Sequence, residues 1–337
     1  MGFRRYYIDV VEDRQKGALA ALFKIFLFLP MLLYWLVVAL RNFLYDNDLI
    51  LKQRTFNIPV ISVGNLTWSG TAKTSLAIAL SRDLSPKKVA VLSRGYGSDE
   101  TALLKDSLDR DKAGVFADKD RATILSGISS DYDIAILDDG FQYRRIEPDA
   151  NILLINGRKP FGNGFLIPLG SLREPKKSLK RADIAVIMHV RDQELHDRLK
   201  RINPCLEIFY AHYKAEGLST LQAEPVSKDV LLDRPLASFC AIGYPEGFLD
   251  TLAQLGAQPA LTFRYPDHYL LDEKEFRSIE NKCLHRGIKD LVITAKDRIR
   301  FGFSTQLSIY VLEVSLQIES GDDFLKAVKN RLTKIKT

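Results

Sequence analysis

The segment Val60-Ile-Ser-Val-Gly-Asn-Leu-Thr-Trp-Ser-Gly-Thr-Ala-Lys-Thr74 constrains the fold more than any other part of this chain. A β-branched apolar run ends in a loop of small residues. The loop closes on Lys73-Thr74, and an apolar-periodic stretch follows through Leu76, Ile78, Ala79 and Leu80. Strand, tight loop, Lys-Thr and helix in that order are the layout of a phosphate-cradling P-loop. In such a loop the lysine reaches the β- and γ-phosphates and the threonine hydroxyl ligates Mg²⁺. The helix N-terminus adds amide donors and a favourable dipole. The expected ATP-binding residues are Thr67, Trp68, Ser69, Gly70, Thr71, Ala72, Lys73 and Thr74. Thr67 and Ala72 stand where such loops usually carry glycine, and alanine accepts a left-handed backbone less readily.

Strand and helix signals alternate after this loop. Val89–Leu92, Ile134–Leu137, Ile152–Ile155 and Ile184–Met188 are continuous β-branched or leucine-rich runs. Such runs suit strands buried on both faces of a parallel sheet. A second block begins near Leu236, with strand signals at Ser238–Ile242, Leu261–Phe263, Leu291–Thr294 and Ser308–Leu312 and a helical stretch at Phe248–Leu255. The expected fold is therefore α/β: a P-loop NTPase-like, mostly parallel sheet with helices on both faces, followed by a smaller α/β domain. The expected division is 1–44 for an N-terminal helix, 45–225 for the P-loop core and 226–337 for the smaller domain, and 337 residues suffice for two cores.

The N-terminal helix is the second constraint. Residues 18–40 read ALAALFKIFLFLPMLLYWLVVAL, and the uncharged part from Ile25 to Leu40 falls short of the roughly 20 residues that span a bilayer unless Lys24 snorkels. Pro30 is placed to kink it. Arg4, Arg5, Arg14 and Lys16 precede the run and Arg41 follows it, so charge sets no orientation. A span and a helix lying in one leaflet both fit. A signal peptide fits poorly, because Arg41-Asn-Phe-Leu-Tyr45 follows instead of a small-residue cleavage site. Membrane association is expected, with the nucleotide-binding body in the cytosol. The net charge of +6 suits an anionic partner. Three scattered cysteines give no zinc pattern and fit a reducing compartment.

Four further segments carry chemistry. Ile134-Ala-Ile-Leu-Asp138-Asp139-Gly140 is an apolar strand ending in paired carboxylates, the type of group that holds Mg²⁺ beside a P-loop strand. Ser93-Arg94-Gly-Tyr-Gly97 follows another strand, where Arg94 can meet phosphate, and Asp99 comes directly after as a candidate proton acceptor. Leu172-Arg173-Glu174-Pro175 precedes Lys176, Lys177, Lys180 and Arg181, a set suited to phosphate or anionic lipid. Tyr265-Pro-Asp267-His268 pairs a carboxylate with an imidazole. Taken singly, each also has an ordinary reading as a turn, a helix start or a solvated basic face.

The order of these pieces resembles tetraacyldisaccharide 4'-kinase, the lipid A 4'-kinase family of Gram-negative bacteria. Asp138-Asp-Gly-Phe-Gln142, Phe161-Gly-Asn-Gly164 and Leu172-Arg-Glu-Pro175 carry the resemblance most specifically. It implies transfer of the ATP γ-phosphate to the 4'-hydroxyl of a tetraacylated glucosamine disaccharide 1-phosphate, with ATP and Mg²⁺. It also implies an enzyme bound to the inner membrane and facing the cytoplasm, two α/β domains with the active site between them, and no nucleic-acid partner. By matched position, Asp99 is the catalytic acid-base residue, His268 its partner and Lys73 the phosphate-binding lysine. Thr74, Asp138 and Asp139 are on the metal side. Substrate contacts are expected from Asn65, Arg94, Arg121 and Gln142, and from Arg173, Glu174 and Asp267. This chain departs from the family pattern at Trp68 to Ala72, at Tyr143 (commonly His), at Ala295 (commonly Glu) and in a shortened stretch between Tyr96 and Asp99. Two other readings fit the loop alone: a degenerate nucleotide-binding module that regulates a membrane partner, and a P-loop kinase with a different acceptor.

Overall fold

The computed structural model describes residues 3–68, 71–84, 87–95, 98–108, 112–232, 234–267 and 269–332. The chain begins with α1 (Phe3–Val11), α2 (Ala18–Asp46), β1 (Val60–Asn65), α3 (Lys73–Asp83), β2 (Val89–Ser93) and α4 (Ser98–Ser107). It continues through β3 (Ala113–Ala117), α5 (Arg121–Ile128), β4 (Ile134–Asp138), β5 (Ala150–Asn156), β6 (Ile184–Met188), α6 (Gln193–Ile202) and β7 (Glu207–Ser219). The last part holds β8 (Pro225–Val226), β9 (Leu236–Cys240), α7 (Pro245–Gln254), β10 (Leu261–Arg264), α8 (Glu273–Leu284), β11 (Asp290–Thr294), β12 (Ser308–Ile318) and α9 (Gly321–Leu332).

Two compact units divide the chain. One comprises Met1–Tyr96, Ser107–His212 and Ile318–Thr337, and the other Gly97–Asp106 and Tyr213–Gln317. Sequence reading gives contiguous segments, whereas these units interleave. The strands β7 and β12 each carry the chain from one unit into the other, and α9 belongs to the first unit.

In the first unit the strands run in the order β7-β6-β5-β1-β4-β2-β3, all parallel. Every residue of β1, β4, β5 and β6 is buried, as their uninterrupted apolar runs require. Helices cover both faces. Leu153 and Ile155 of β5 and Ala185 and Ile187 of β6 form one core with Leu27 and Met31 of α2 and Leu195 and Leu199 of α6. Ile208 of β7 packs against that same cluster, and its neighbour Phe209 meets Phe324 of α9, ring centroids 5.4 Å apart. Successive strand residues point to opposite faces, so α9 lies on the other side of the sheet.

The helix α2 is apolar on both a buried and an exposed face. One face, with Ala20, Leu27, Met31, Val38 and Asn42, is buried. The opposite stripe, Leu22, Phe26, Leu29, Leu33, Leu36 and Leu40, is exposed. The docked face is fastened along its length: the Phe23 ring meets Tyr6 at a tilt and Tyr7 edge to face, the Tyr34 hydroxyl donates to the Arg173 carbonyl at 2.8 Å, and Asp46 pairs with Arg144 at 2.7 Å.

In the second unit β10-β9-β11-β12 form a parallel sheet. Phe239, Phe276 and Phe301 pack edge to face at its core. The carboxylate of Asp297, in the Thr294-Ala-Lys-Asp297 segment, is fully buried, accepting from Thr294 Oγ1 at 2.6 Å and pairing with Arg300.

Candidate active site

The P-loop strand and the acidic strand lie side by side. β1 pairs with β4 in the register Val63↔Asp138, so both end on the same edge of the sheet. In open α/β sheets this is the edge where ligands bind. Just beyond β1, Ala72 caps α3 at φ 61°. An alanine in that left-handed conformation costs roughly 1–2 kcal/mol that a glycine would avoid, so the loop keeps its shape at this departure from the usual spelling. Gly64 is needed for a different reason: a Cβ there would lie 2.4 Å from the Phe141 Cβ.

The two aspartates face different partners. Thr74 Oγ1 donates to Asp138 Oδ2 at 3.1 Å. Asp139, at φ 52°, points its carboxylate the other way, 3.6 Å from Lys73 Nζ. Arg173 Nη1 donates to both Asp139 oxygens at 2.8 and 2.9 Å. Burial alone would push the Asp139 carboxyl up, but Lys73 and then Arg173 outweigh it and hold it at about 2. Asp139 is therefore ionised at neutral pH.

The remaining candidates divide into those facing this cluster and those that brace it. Gln142 donates to the Asn65 carbonyl at 2.9 Å and accepts weakly from Arg173 at 3.4 Å. The Asn65 side chain is fully buried and donates to Thr71 Oγ1 at 2.8 Å, so it ties the end of β1 to the phosphate loop. Trp68 N donates to the Ser171 carbonyl at 3.0 Å, which joins the phosphate loop to the Leu-Arg-Glu-Pro segment. Arg121, only 3% exposed, donates to the carbonyl of Asp138 at 2.8 Å. Arg94 is exposed just after β2. Asp267 lies in the second unit, after β10. Asp99 falls in the first turn of α4, and its side chain lies outside the described residues, as do Ser69, Gly70 and His268.

Glu174 is placed differently from the sequence expectation of a substrate contact. It is fully buried, with Oε1 2.9 Å from Arg41 Nη2 and Oε2 2.8 Å from Arg181 Nη2. Asn42 Nδ2 donates to Oε2 at 3.0 Å. Sequence reading missed Arg41, Asn42 and Arg181 as a set, because the first two sit in the apolar helix and the third in a basic run. Burial pushes the Glu174 carboxyl up, but Arg181 and Arg41 overcome this and hold it below its usual value. Glu174→Ala is expected to cost about 3 kcal/mol of unfolding free energy, because two guanidinium groups lose their partner. The check is the denaturation midpoint of the detergent-solubilised chain. Because the folded pKa is lowered, the contribution is complete above the usual carboxylate range and is lost as pH falls through the folded value.

Residues 23–333 match the family model of tetraacyldisaccharide-1-P 4'-kinase. The chain belongs to the tetraacyldisaccharide 4'-kinase family. Among relatives carrying that name, the protein of Syntrophus aciditrophicus is 32% identical over 94% of this chain and 93% of its own. That of Geobacter sulfurreducens is 33% identical over 88% and 89%. The crystal structure of LpxK from Aquifex aeolicus in complex with ATP superposes with a TM-score of 0.67 at 27% identity, covering 90% of this chain and 98% of that one. In this chain the Asp138–Gln142 and Leu172–Pro175 segments meet through Arg173 on Asp139.

Proposed function

We propose that this protein transfers the γ-phosphate of ATP to the 4'-hydroxyl of a tetraacylated glucosamine disaccharide 1-phosphate. The observation that carries the reading is the placement of Lys73 and Thr74 directly against Asp139 and Asp138, in a chain that matches the family from residue 23 to 333. ATP as the donor is supported by the ATP-bound structural relative. Phosphoryl transfer depends mainly on positioning and charge neutralisation. Lys73 and Arg173 supply two cations, and Asp139 fixes where they point.

The donor set also suits Mg²⁺. The Thr74 hydroxyl and the Asp138 carboxylate are hard oxygen donors 3.1 Å apart and would hold the ion. The chemistry a bound Mg²⁺ supplies is neutralisation of charge on the β- and γ-phosphate oxygens. Asp138 is assigned to the metal side, and Asp139 to the orientation of the two cations. Asp99 is assigned the proton of the acceptor hydroxyl, with His268 as its partner in that role. Arg94 is assigned to phosphate, and Gln142 and Asp267 to the substrate. Asn65, Arg121 and Glu174 act by bracing.

The site of action is the cytoplasmic face of the inner membrane, with α2 lying along one leaflet. A helix whose docked side is tied down from Phe23 to Asp46 has only its outward stripe to offer lipid. Burying a leucine contributes about 2 kcal/mol. Leu29→Ser, Leu33→Ser and Leu36→Ser together are expected to release the chain from phospholipid vesicles in a sedimentation assay, with its unfolding midpoint unchanged. Retention on vesicles would contradict this orientation.

Regiochemistry tests the function. Labelled phosphate from ATP should appear on the lipid, and an acceptor lacking only the 4'-hydroxyl should give none. Labelling of the 4'-deoxy acceptor would contradict the assignment.

A further inference from the structure

Arg121 occupies an expensive position. It is the first residue of α5, where the helix dipole repels a cation, and it is 3% exposed. Burial pulls its pKa down, and the neighbouring Arg94 adds to that. Its compensation comes from a few groups. Nη1 donates to the carbonyls of Asp138 and Asp139 at 2.8 and 3.4 Å. The guanidinium carbon sits 4.2 Å from the ring centroid of Tyr143. The acidic partners Asp138 and Asp139 act on it electrostatically as well.

Those two carbonyls flank the point where the backbone turns into the left-handed conformation at Asp139, φ 52°. That turn is what separates the Asp139 carboxylate, facing Lys73 and Arg173, from the Asp138 carboxylate, facing Thr74. Tyr143 is anchored on both sides of this arrangement. Its amide donates to the Gly140 carbonyl at 2.8 Å, closing the loop that follows Asp139. Its hydroxyl accepts from Ala122 N at 3.0 Å and donates to Asp120 Oδ1 at 3.3 Å, at the first turn of α5.

We propose that Tyr143 is a positioning residue of the transfer reaction: its ring carries the Arg121 guanidinium that clamps the Asp138 and Asp139 carbonyls, and so sets the Asp139 carboxylate against Lys73 and Arg173. The proposal rests on the kinase reading for its effect on turnover, and on geometry alone for the Tyr143–Arg121 pair. A cation on a desolvated aromatic face is held by the ring, so the ring, not the hydroxyl, is the active part.

Two measurements test it. In the transfer assay Tyr143→Leu should lower kcat about tenfold, with KM for ATP changed less than about twofold because the loss is confined to the transition state. Tyr143→Phe should stay within about threefold of the unaltered chain, since it keeps the ring. Unchanged kcat in Tyr143→Leu, or an equal loss in Tyr143→Phe, would overturn the proposal. The second measurement needs no turnover: a double-mutant cycle of Tyr143→Leu and Arg121→Lys on the unfolding midpoint. Coupled residues give losses that do not add, and additive losses would overturn the pairing. If Tyr143→Leu fails to fold, Tyr143→Phe decides: retained kcat supports the ring's role and a tenfold loss refutes it. An inactive unaltered chain with a coupled cycle would count against the kinase reading and leave the pair standing.

Discussion

Lys73→Ala should lower kcat for phosphate transfer by about a thousandfold, the cost of removing one preorganised electrostatic partner from a phosphoryl-transfer site. The structure gives the reason for so large a loss. Lys73 opens α3 and stands 3.6 Å from Asp139, so its ammonium group is held in place before any phosphate arrives. Removing it also leaves Asp139 with one strong cation, Arg173, in place of two. The expected secondary effect is a carboxyl pKa higher than the value of about 2 that the intact cluster maintains. Steady-state kinetics at saturating ATP read the first effect. A Lys73→Ala chain with kcat within tenfold of the unaltered one would remove this lysine from the chemistry.

Asp99→Ala should lower kcat by about a hundredfold, the lower part of the range for loss of a general base. The lower part applies because transition states of phosphoryl transfer are loose, and charge neutralisation at the phosphate matters more than deprotonation of the nucleophile. KM for ATP should barely move, since the nucleotide is held by the loop before α3. Equal turnover by that variant would take Asp99 out of the mechanism.

Much of this architecture is legible in the chain because parallel strands buried on both faces leave an unmistakable trace. Val60–Val63, Val89–Leu92, Ile134–Leu137, Ile152–Ile155 and Ile184–Met188 all become strands, and the P-loop and acidic strand are neighbours as their pairing requires. What escaped notice has physical causes. β7 runs from Glu207 to Ser219 with His212, Lys214 and Glu216 along it, so it carries no continuous apolar run. β3, Ala113–Ala117, is a half-exposed terminal strand of only five residues. The interleaving of the two units is invisible because no change of composition marks it.

Within the site the sequence identifies the residues better than their tasks. Lys73, Thr74, Asp138, Asp139, Gln142 and Arg173 do come together. Glu174 and Arg121, expected on the substrate, turn inward, because each finds partners far away in the chain: Arg41 and Asn42 for one, the Asp138 carbonyl and Tyr143 for the other. Motif spelling shows that such residues matter, and only the folded packing shows what they touch. The apolar helix is a similar case. Its hydropathy points to lipid, but its buried stripe and its ties to Arg173, Glu174 and Arg144 show that it is also part of the core.

The central claim is tested most directly by incubating the full chain with γ-labelled ATP, Mg²⁺ and tetraacyldisaccharide 1-phosphate in mixed micelles, with Lys73→Ala alongside. The account predicts labelled lipid from the unaltered chain, loss of that product when Mg²⁺ is chelated, and almost none from the variant. ATP binding without any labelled lipid from the unaltered chain would contradict it.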